Sequence, residues 1–187
     1  MPNATQINLS SAKFQDLAVE GINLKLGQRL PWLVMYGVGV KLIGEKGFYP
    51  AYESMSNDTQ NYTSLLPDDL LGNFGFWDVT DGASIEKKGD FIHLTFSAGL
   101  VVWGDLRNVY TGAAWKSNNA KNVASDVAAA LQAQGFGTSR LEYKKVWFEA
   151  NSIYKGYDHS EIKKQFLKRP YFGLRIDCEI VSQQKCP

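Results

Sequence analysis

Few residues of this chain have both the type and the spacing that chemistry needs. There are two histidines, His93 and His159. One falls on the polar face of an expected strand, the other in an expected cap loop, and they share no motif. Two histidines cannot build a three-histidine zinc site, and no spacing argues for a mixed His/Asp site. Of the two cysteines, Cys178 falls on the apolar face of an expected strand and Cys186 in the terminal tail. A reactive thiolate wants exposure and nearby positive charge, so Cys178 reads as a buried free thiol. Nothing else points to an oxidising compartment that would favour a Cys178–Cys186 disulfide. Asp68 and Asp69 are adjacent acids after Pro67, a pattern of a first helical turn. Asp78-x-x-Asp81-Gly82 lacks the ligand spacing of a calcium loop. Gly135-Phe136-Gly137 lies after its helix, on the wrong side for a phosphate loop. No serine sits in a Gly-x-Ser-x-Gly elbow. The expectation is a protein with no catalytic residue, metal or cofactor, and not an enzyme.

Two other groups of residues could still make contacts. Lys163, Lys164, Lys168 and Arg169 lie among Tyr154, Tyr157 and Tyr171. They read as the solvated face of a short helix, or as a patch facing DNA or an acidic partner. Trp103, Tyr110 and Trp115 cluster in or beside a loop at 104–117, and large aromatics there need cover from the domain or from a partner. Leu65, Leu66, Leu70 and Leu71 flank Pro67-Asp68-Asp69. Tyr110 and Trp115, with Leu65, Leu66 and Leu70, are the candidate interface residues.

The elements that must position these groups are organised around Asp90–Trp103. Ile92, Leu94, Phe96, Ala98, Leu100 and Val102 fall at every second position, the period of a strand with one face on a core. The other face is polar at His93, Thr95 and Ser97 and turns apolar at Val101 and Trp103. Residues 10–30 predict a helix that Pro31 ends, although Ile22, Leu24 and Leu26 also alternate as a strand would. VMYGVGVKLI, the GEKG turn at 44–47 and FYPAYES predict a hairpin. Pro50 predicts that its second arm is an edge strand or is interrupted. Residues 54–73 are turn-rich and predict an irregular insertion. FGFWDV at 74–79 reads as a strand, and TDGAS at 80–84 and EKKGD at 86–90 as turns. Residues 118–134 predict the clearest helix, with Asn118 or Asn119 as cap, Gly135 as its stop, and Val123, Val127, Ala130 and Leu131 inward. Strands are expected over 141–154 and in YFGLRIDCEIV, with a short helix at EIKKQFLK between them that turns Ile162 and Phe166 inward. In the last strand Phe172, Leu174, Ile176, Cys178 and Ile180 face a core, while Tyr171, Arg175, Asp177 and Glu179 face water.

The order predicts an α+β fold: a mainly antiparallel sheet with two main helices packed on one face. At 187 residues the chain suits one domain over 1–187, with a mobile tail at 182–187. A net charge of +1 supplies no global field for nucleic acid or an acidic membrane. No apolar run is long enough for a spanning helix, and no leader segment stands out. Asn-x-Ser/Thr sequons begin at Asn3, Asn8, Asn57 and Asn61 and read as polar loop or cap residues.

The layout resembles small phage structural proteins of the neck and tail tip, of the tail-terminator or head–tail connector kind. The resemblance is carried by LPWLVMYGVGV, FYPAYES with YTSLLPDDLLGNFGFW, the helix KNVASDVAAALQAQG and the closing RPYFGLRIDCEIV. It implies a subunit of helices on a sheet that joins copies of itself in a ring through loops. It also implies neighbouring virion proteins as partners, weak DNA contact in a lumen, and a place in the virion after assembly in the host cytoplasm. Such rings close through heterologous interfaces, with the Tyr110/Trp115 loop and the 54–73 segment as the two patches. A non-catalytic ligand- or carbohydrate-binding module using aromatic loops is the alternative.

Overall fold

A computed structural model describes residues 13–56, 59–68, 70–79, 82–132 and 139–185. Among these, α1 (Lys13–Arg29) leads into β1 (Val34–Val38), β2 (Val40–Ile43), β3 (Phe48–Ser56), β4 (Thr59–Ser64), β5 (Phe74–Val79), β6 (Ser84–Lys88) and β7 (Phe91–Asp105). Then come α2 (Leu106–Val109), α3 (Ala120–Gln132), β8 (Ser139–Trp147), α4 (Ala150–Ile153) and β9 (Tyr171–Lys185). The expected α+β class holds. The main sheet has the order β1-β5-β7-β9-β8, with β6 added beside the start of β7. Every pair in it is antiparallel except β1 with β5.

β7 is the spine. It pairs with β9 along its whole length, from Phe91 opposite Lys185 to Asp105 opposite Tyr171. Its alternation sends Leu94, Phe96, Ala98, Leu100 and Val102 into a core roofed by α1 and α3. That roof is Ala18, Val19, Ile22 and Leu26 from α1, with Val123, Ala124, Val127, Ala130 and Leu131 from α3. Ile22 and Leu26 are buried while Leu24 is exposed, which a helix allows and an alternating strand does not. Asn23 ties this helix to the sheet by accepting from Trp77 Nε1 at 2.7 Å. Asn119 caps α3 by accepting from the Lys121 N–H, and Asn122 returns a bond to the Asn119 N–H. Gly135, the expected stop, lies outside the described residues, as do the GFG segment, Asp69, Asp81 and Cys186.

The opposite face is covered at its Trp103/Arg175 end, so the expected solvated face of β9 is corrected there, while Ser97 and its cross-strand neighbour Glu179 stay exposed and half-exposed. Val101 and Trp103 of β7 and Phe74 and Phe76 of β5 meet Leu65, Ile153, Tyr154, Tyr157, Ile162 and Phe166 in a second core. Residues 148–170 form this lid. They fold as α4 and a 3₁₀ turn at Lys164–Leu167, not as a continued strand through 154 or a regular helix.

Other expectations change in the first half. VMYGVGVKLI is not one hairpin arm. It divides at Gly39, where an added Cβ would lie 2.8 Å from the Phe76 ring, and Gly37 has φ 78°. β1 joins the main sheet, and β2, β3 and β4 form a separate antiparallel sheet, the arm. β3 is central in the arm, despite Pro50. The Pro50 carbonyl accepts from the Leu65 N–H, just beyond the end of β4, so its missing N–H falls where the ladder stops. The expected irregular stretch at 54–73 is thus partly strand. So is 84–88, which takes up most of the expected 86–90 turn and the end of the one at 80–84; the reversal is confined to Gly89, at φ 60°, and Asp90. Residues 182–185 of the expected tail belong to β9.

Candidate functional site

The lid is held by a buried ionic clamp. Asp78 on β5, Gly99 on β7 and Asp177 on β9 are cross-strand neighbours in one row. Arg175, two residues before Asp177 and on the same face, lays its guanidinium over Gly99. It donates from Nη1 to Asp78 at 2.7 Å and from Nε to Asp177 at 2.6 Å. Tyr157 of the lid donates to Asp78 at 2.7 Å, and Trp147 Nε1 donates to Asp177 at 2.7 Å. A Cβ on Gly99 would overlap the guanidinium. Arg175 is only 5% exposed, and every one of these charges meets an opposite charge or a donor. Through Tyr157, which donates to Asp78, and the Ile153 carbonyl, which accepts from Arg175, the arrangement ties the lid to β5 and β9.

The lid leaves a cleft at one end of the sheet, where the two cores meet. Its volume is about 470 Å³. Trp103, Tyr171, Phe172 and Gly173 supply the strand wall, Leu106 and Ala120 one side, and Ile153, Tyr154 and Phe166 of the lid the other. Trp103 and Tyr171 stack with centroids 5.3 Å apart, and Phe166 sets its edge against both. Phe148, Glu149, Leu167 and Arg169 form the rim. Arg169 is already committed: its guanidinium donates to the carbonyls of Trp115, Lys116 and Asn118 and stands over the Trp115 ring. Within the wall, Trp103 Nε1 and the Tyr154 hydroxyl are buried without a hydrogen-bond partner. Burial alone pushes the Tyr154 hydroxyl well above the ordinary tyrosine range.

The surface carries a different feature. The arm buries only Pro50 and Ala51 among its described side chains. At its tip Ile43 and Phe48 are cross-strand neighbours, 82% and 49% exposed. Tyr62 on β4 and Leu70 beyond it are exposed as well, Leu70 at 92%. On the far edge of the main sheet, Tyr143 and Val146 of β8 and the following Phe148 are exposed. β8 carries a bulge between Tyr143 and Lys145, and Arg140, Lys144 and Lys145 stand along it, devices that blunt strand addition.

The expected interface residues therefore separate. Leu70 is fully available. Leu65 is fully buried under the lid and cannot be a contact residue, which corrects that expectation, and Leu66 packs partly beside it. The difference is local: Asp68 turns the chain by accepting from the N–H groups of Leu70 and Leu71 at 2.8 Å, in a turn and not a helix. Tyr110 and Trp115 are half-buried against the α1/α3 core, Tyr110 donating to Asp126 at 2.8 Å. Lys163, Lys164 and Lys168 are exposed, whereas Arg169 is tied down as described. Cys178 is a buried free thiol, pushed up to about 12 first by burial and then by Asp177. Among the described residues no group of three or more His, Cys, Asp or Glu could hold a metal, and no helix is long and apolar enough to cross a membrane. Ile43, Phe48, Tyr143 and Val146 were missed by sequence reasoning, because alternation alone does not say which strand faces stay uncovered. The chain matches no protein-family model and no curated protein sequence.

Proposed function

We propose that the protein is a virion structural subunit of a phage neck or tail, of tail-terminator or head–tail connector kind, that closes into a ring of copies. The observation that carries the assembly reading is the arm. A three-stranded sheet with almost no buried side chains of its own, tipped by exposed Ile43 and Phe48, gains its apolar burial from a neighbour. The second patch is the β8 edge with Tyr143, Val146 and Phe148. The arm is rooted next to β1 and β8 is the opposite edge of the main sheet. Two unlike patches at opposite edges suit a heterologous contact, the kind that generates rings. The bulge and lysines of β8 favour side-chain docking there over strand addition.

The neck or tail placement rests on the likeness carried by LPWLVMYGVGV, FYPAYES with YTSLLPDDLLGNFGFW, KNVASDVAAALQAQG and the closing RPYFGLRIDCEIV. Other virion proteins would then be axial partners. Lys163, Lys164 and Lys168 would face DNA in the lumen or an acidic neighbour. The test of assembly is light scattering on the purified chain. A discrete multiple of the subunit mass is the expected result, and a monomer at all concentrations counts against the reading.

A further inference from the structure

We propose that the free edge of β4 adds to the β4 edge of a second copy, antiparallel about a two-fold axis at Tyr62, and that these contacts join two of the rings proposed above. The inference rests on the ring reading and adds a second, unlike contact to it.

The direction of the backbone groups comes first. β4 is the last strand of the arm and has a neighbouring strand on one side only. The Leu65 N–H donates to the Pro50 carbonyl at 2.8 Å, which sets the phase of the β3–β4 ladder. In an antiparallel ladder, hydrogen-bonded and non-hydrogen-bonded pairs alternate. Thr63 and Asn61, opposite Tyr52 and Ser54, therefore turn their backbone groups toward β3. Gln60, Tyr62 and Ser64 turn theirs to the open side. All three residues are exposed, Tyr62 at 45%.

The other strand edges are guarded. β8 has its bulge with Arg140, Lys144 and Lys145, β6 carries Lys87 and Lys88, and β2 carries Lys41. β1 loses its register between Met35 and Val38, with Gly37 at φ 78° inside the break. Thr59–Ser64 has no charge, no proline and an unbroken register with β3. An edge without such devices is a template for another strand.

The β4 sequence suits its own copy. A two-fold axis through Tyr62, normal to the arm, sets Tyr62 opposite Tyr62 and Gln60 opposite Ser64. Each outward N–H then meets a carbonyl, which makes six backbone bonds. On the other face Asn61 meets Thr63. No charges of like sign are apposed within the strand pair, and the aromatic pair covers a half-exposed ring. Glu53, opposite Tyr62 on β3, lies three strand spacings from its counterpart. That is about 14 Å, beyond a screening length of about 8 Å. One such pair does not hold two free subunits together, because exposed-edge bonds gain little against the freedom lost. Between two rings the pairs act together, and their effect multiplies.

The experiment is light scattering on the full chain at low salt, with two variants that share one change. Asn61→Lys/Thr63→Lys sets like charges opposite each other across the axis. Asn61→Lys/Thr63→Glu sets opposite charges in the same places. Both positions are exposed, so both variants should unfold within a few degrees of wild type. The expected result is a wild-type mass that halves in the Lys/Lys variant and is restored in the Lys/Glu variant. A ring of one mass in all three proteins overturns the pairing, leaves the ring reading standing and gives the edge to a strand of another protein. Halving in both variants also overturns it. A wild-type chain that stays monomeric overturns the pairing and the ring together.

Discussion

Adding one methyl group at Gly99 should cost far more than a strand glycine usually does. The position is flanked by Asp78 and Asp177 in the ladder, and the Arg175 guanidinium occupies the space where a Cβ would stand. That guanidinium cannot swing aside freely, since it is fixed at 2.7 Å to Asp78 and 2.6 Å to Asp177. Gly99→Ala therefore either strains the sheet, at about 1–3 kcal/mol, or expels Arg175 from Asp78, at about 3–5 kcal/mol for a broken buried pair. We expect about 3 kcal/mol, where the ranges meet. With a urea slope of about 2 kcal/mol per M, the unfolding midpoint drops by about 1.5 M. Tryptophan fluorescence is a suitable readout because Trp147 donates to Asp177 within the same network. The clash needs Arg175, so the double variant Gly99→Ala/Arg175→Met should be little worse than Arg175→Met alone, a coupling of about 3 kcal/mol. A Gly99→Ala cost under about 0.5 kcal/mol, or strictly additive costs, would refute the reasoning.

Other outcomes follow from the same geometry. Leu65→Ala should cost about 2–5 kcal/mol and Leu70→Ala less than about 0.5 kcal/mol by denaturant titration, because only the first is buried. Burial and Asp177 hold the folded Cys178 thiol near 12 against an ordinary 9.0, so the folded state keeps its proton longer. Its contribution to stability is complete below about pH 9 and declines as pH rises toward 12, and Cys178→Ala should remove that part of the alkaline slope. Thiol reagents should label Cys178 only at the rate of unfolding. Asp105 is pushed up by burial but held below the ordinary carboxylate range on balance by hydrogen bonds from Arg107. That contribution is present above the unfolded pKa and is lost as pH falls, so Asp105→Asn should flatten the acid limb of stability against pH.

The spine, the second main helix and their inward stripes were legible because each is periodic over many residues, whereas Ile22, Leu24 and Leu26 of α1 fitted a strand as well as a helix. Leu94 to Val102 alternate through a buried strand, and Val123, Val127, Ala130 and Leu131 recur at helical spacing. What escaped was decided by tertiary contacts. Arg175, Asp177 and Glu179 follow the pattern of a wet face, yet Arg175 is buried because the lid brings the Ile153 carbonyl to it and Tyr157 to its partner Asp78. Gly39 reads as one more residue of a strand, and only the Phe76 ring beside it makes it a boundary. Pro50 argued for an edge, and the shortness of β4 let β3 be central instead. The cleft left no trace in the sequence. Trp103, Tyr154 and Gly173 are far apart in the chain and meet only when the lid closes on the ladder.

The most direct test of the assembly reading is the solution mass of the wild-type chain beside the arm-tip variant Ile43→Lys/Phe48→Lys. Both positions are exposed, so the variant should unfold within a few degrees of wild type. The account predicts a closed multimer for the wild type and a folded monomer for the variant. Equal masses for the two proteins, whether both single or both multimeric, would contradict it.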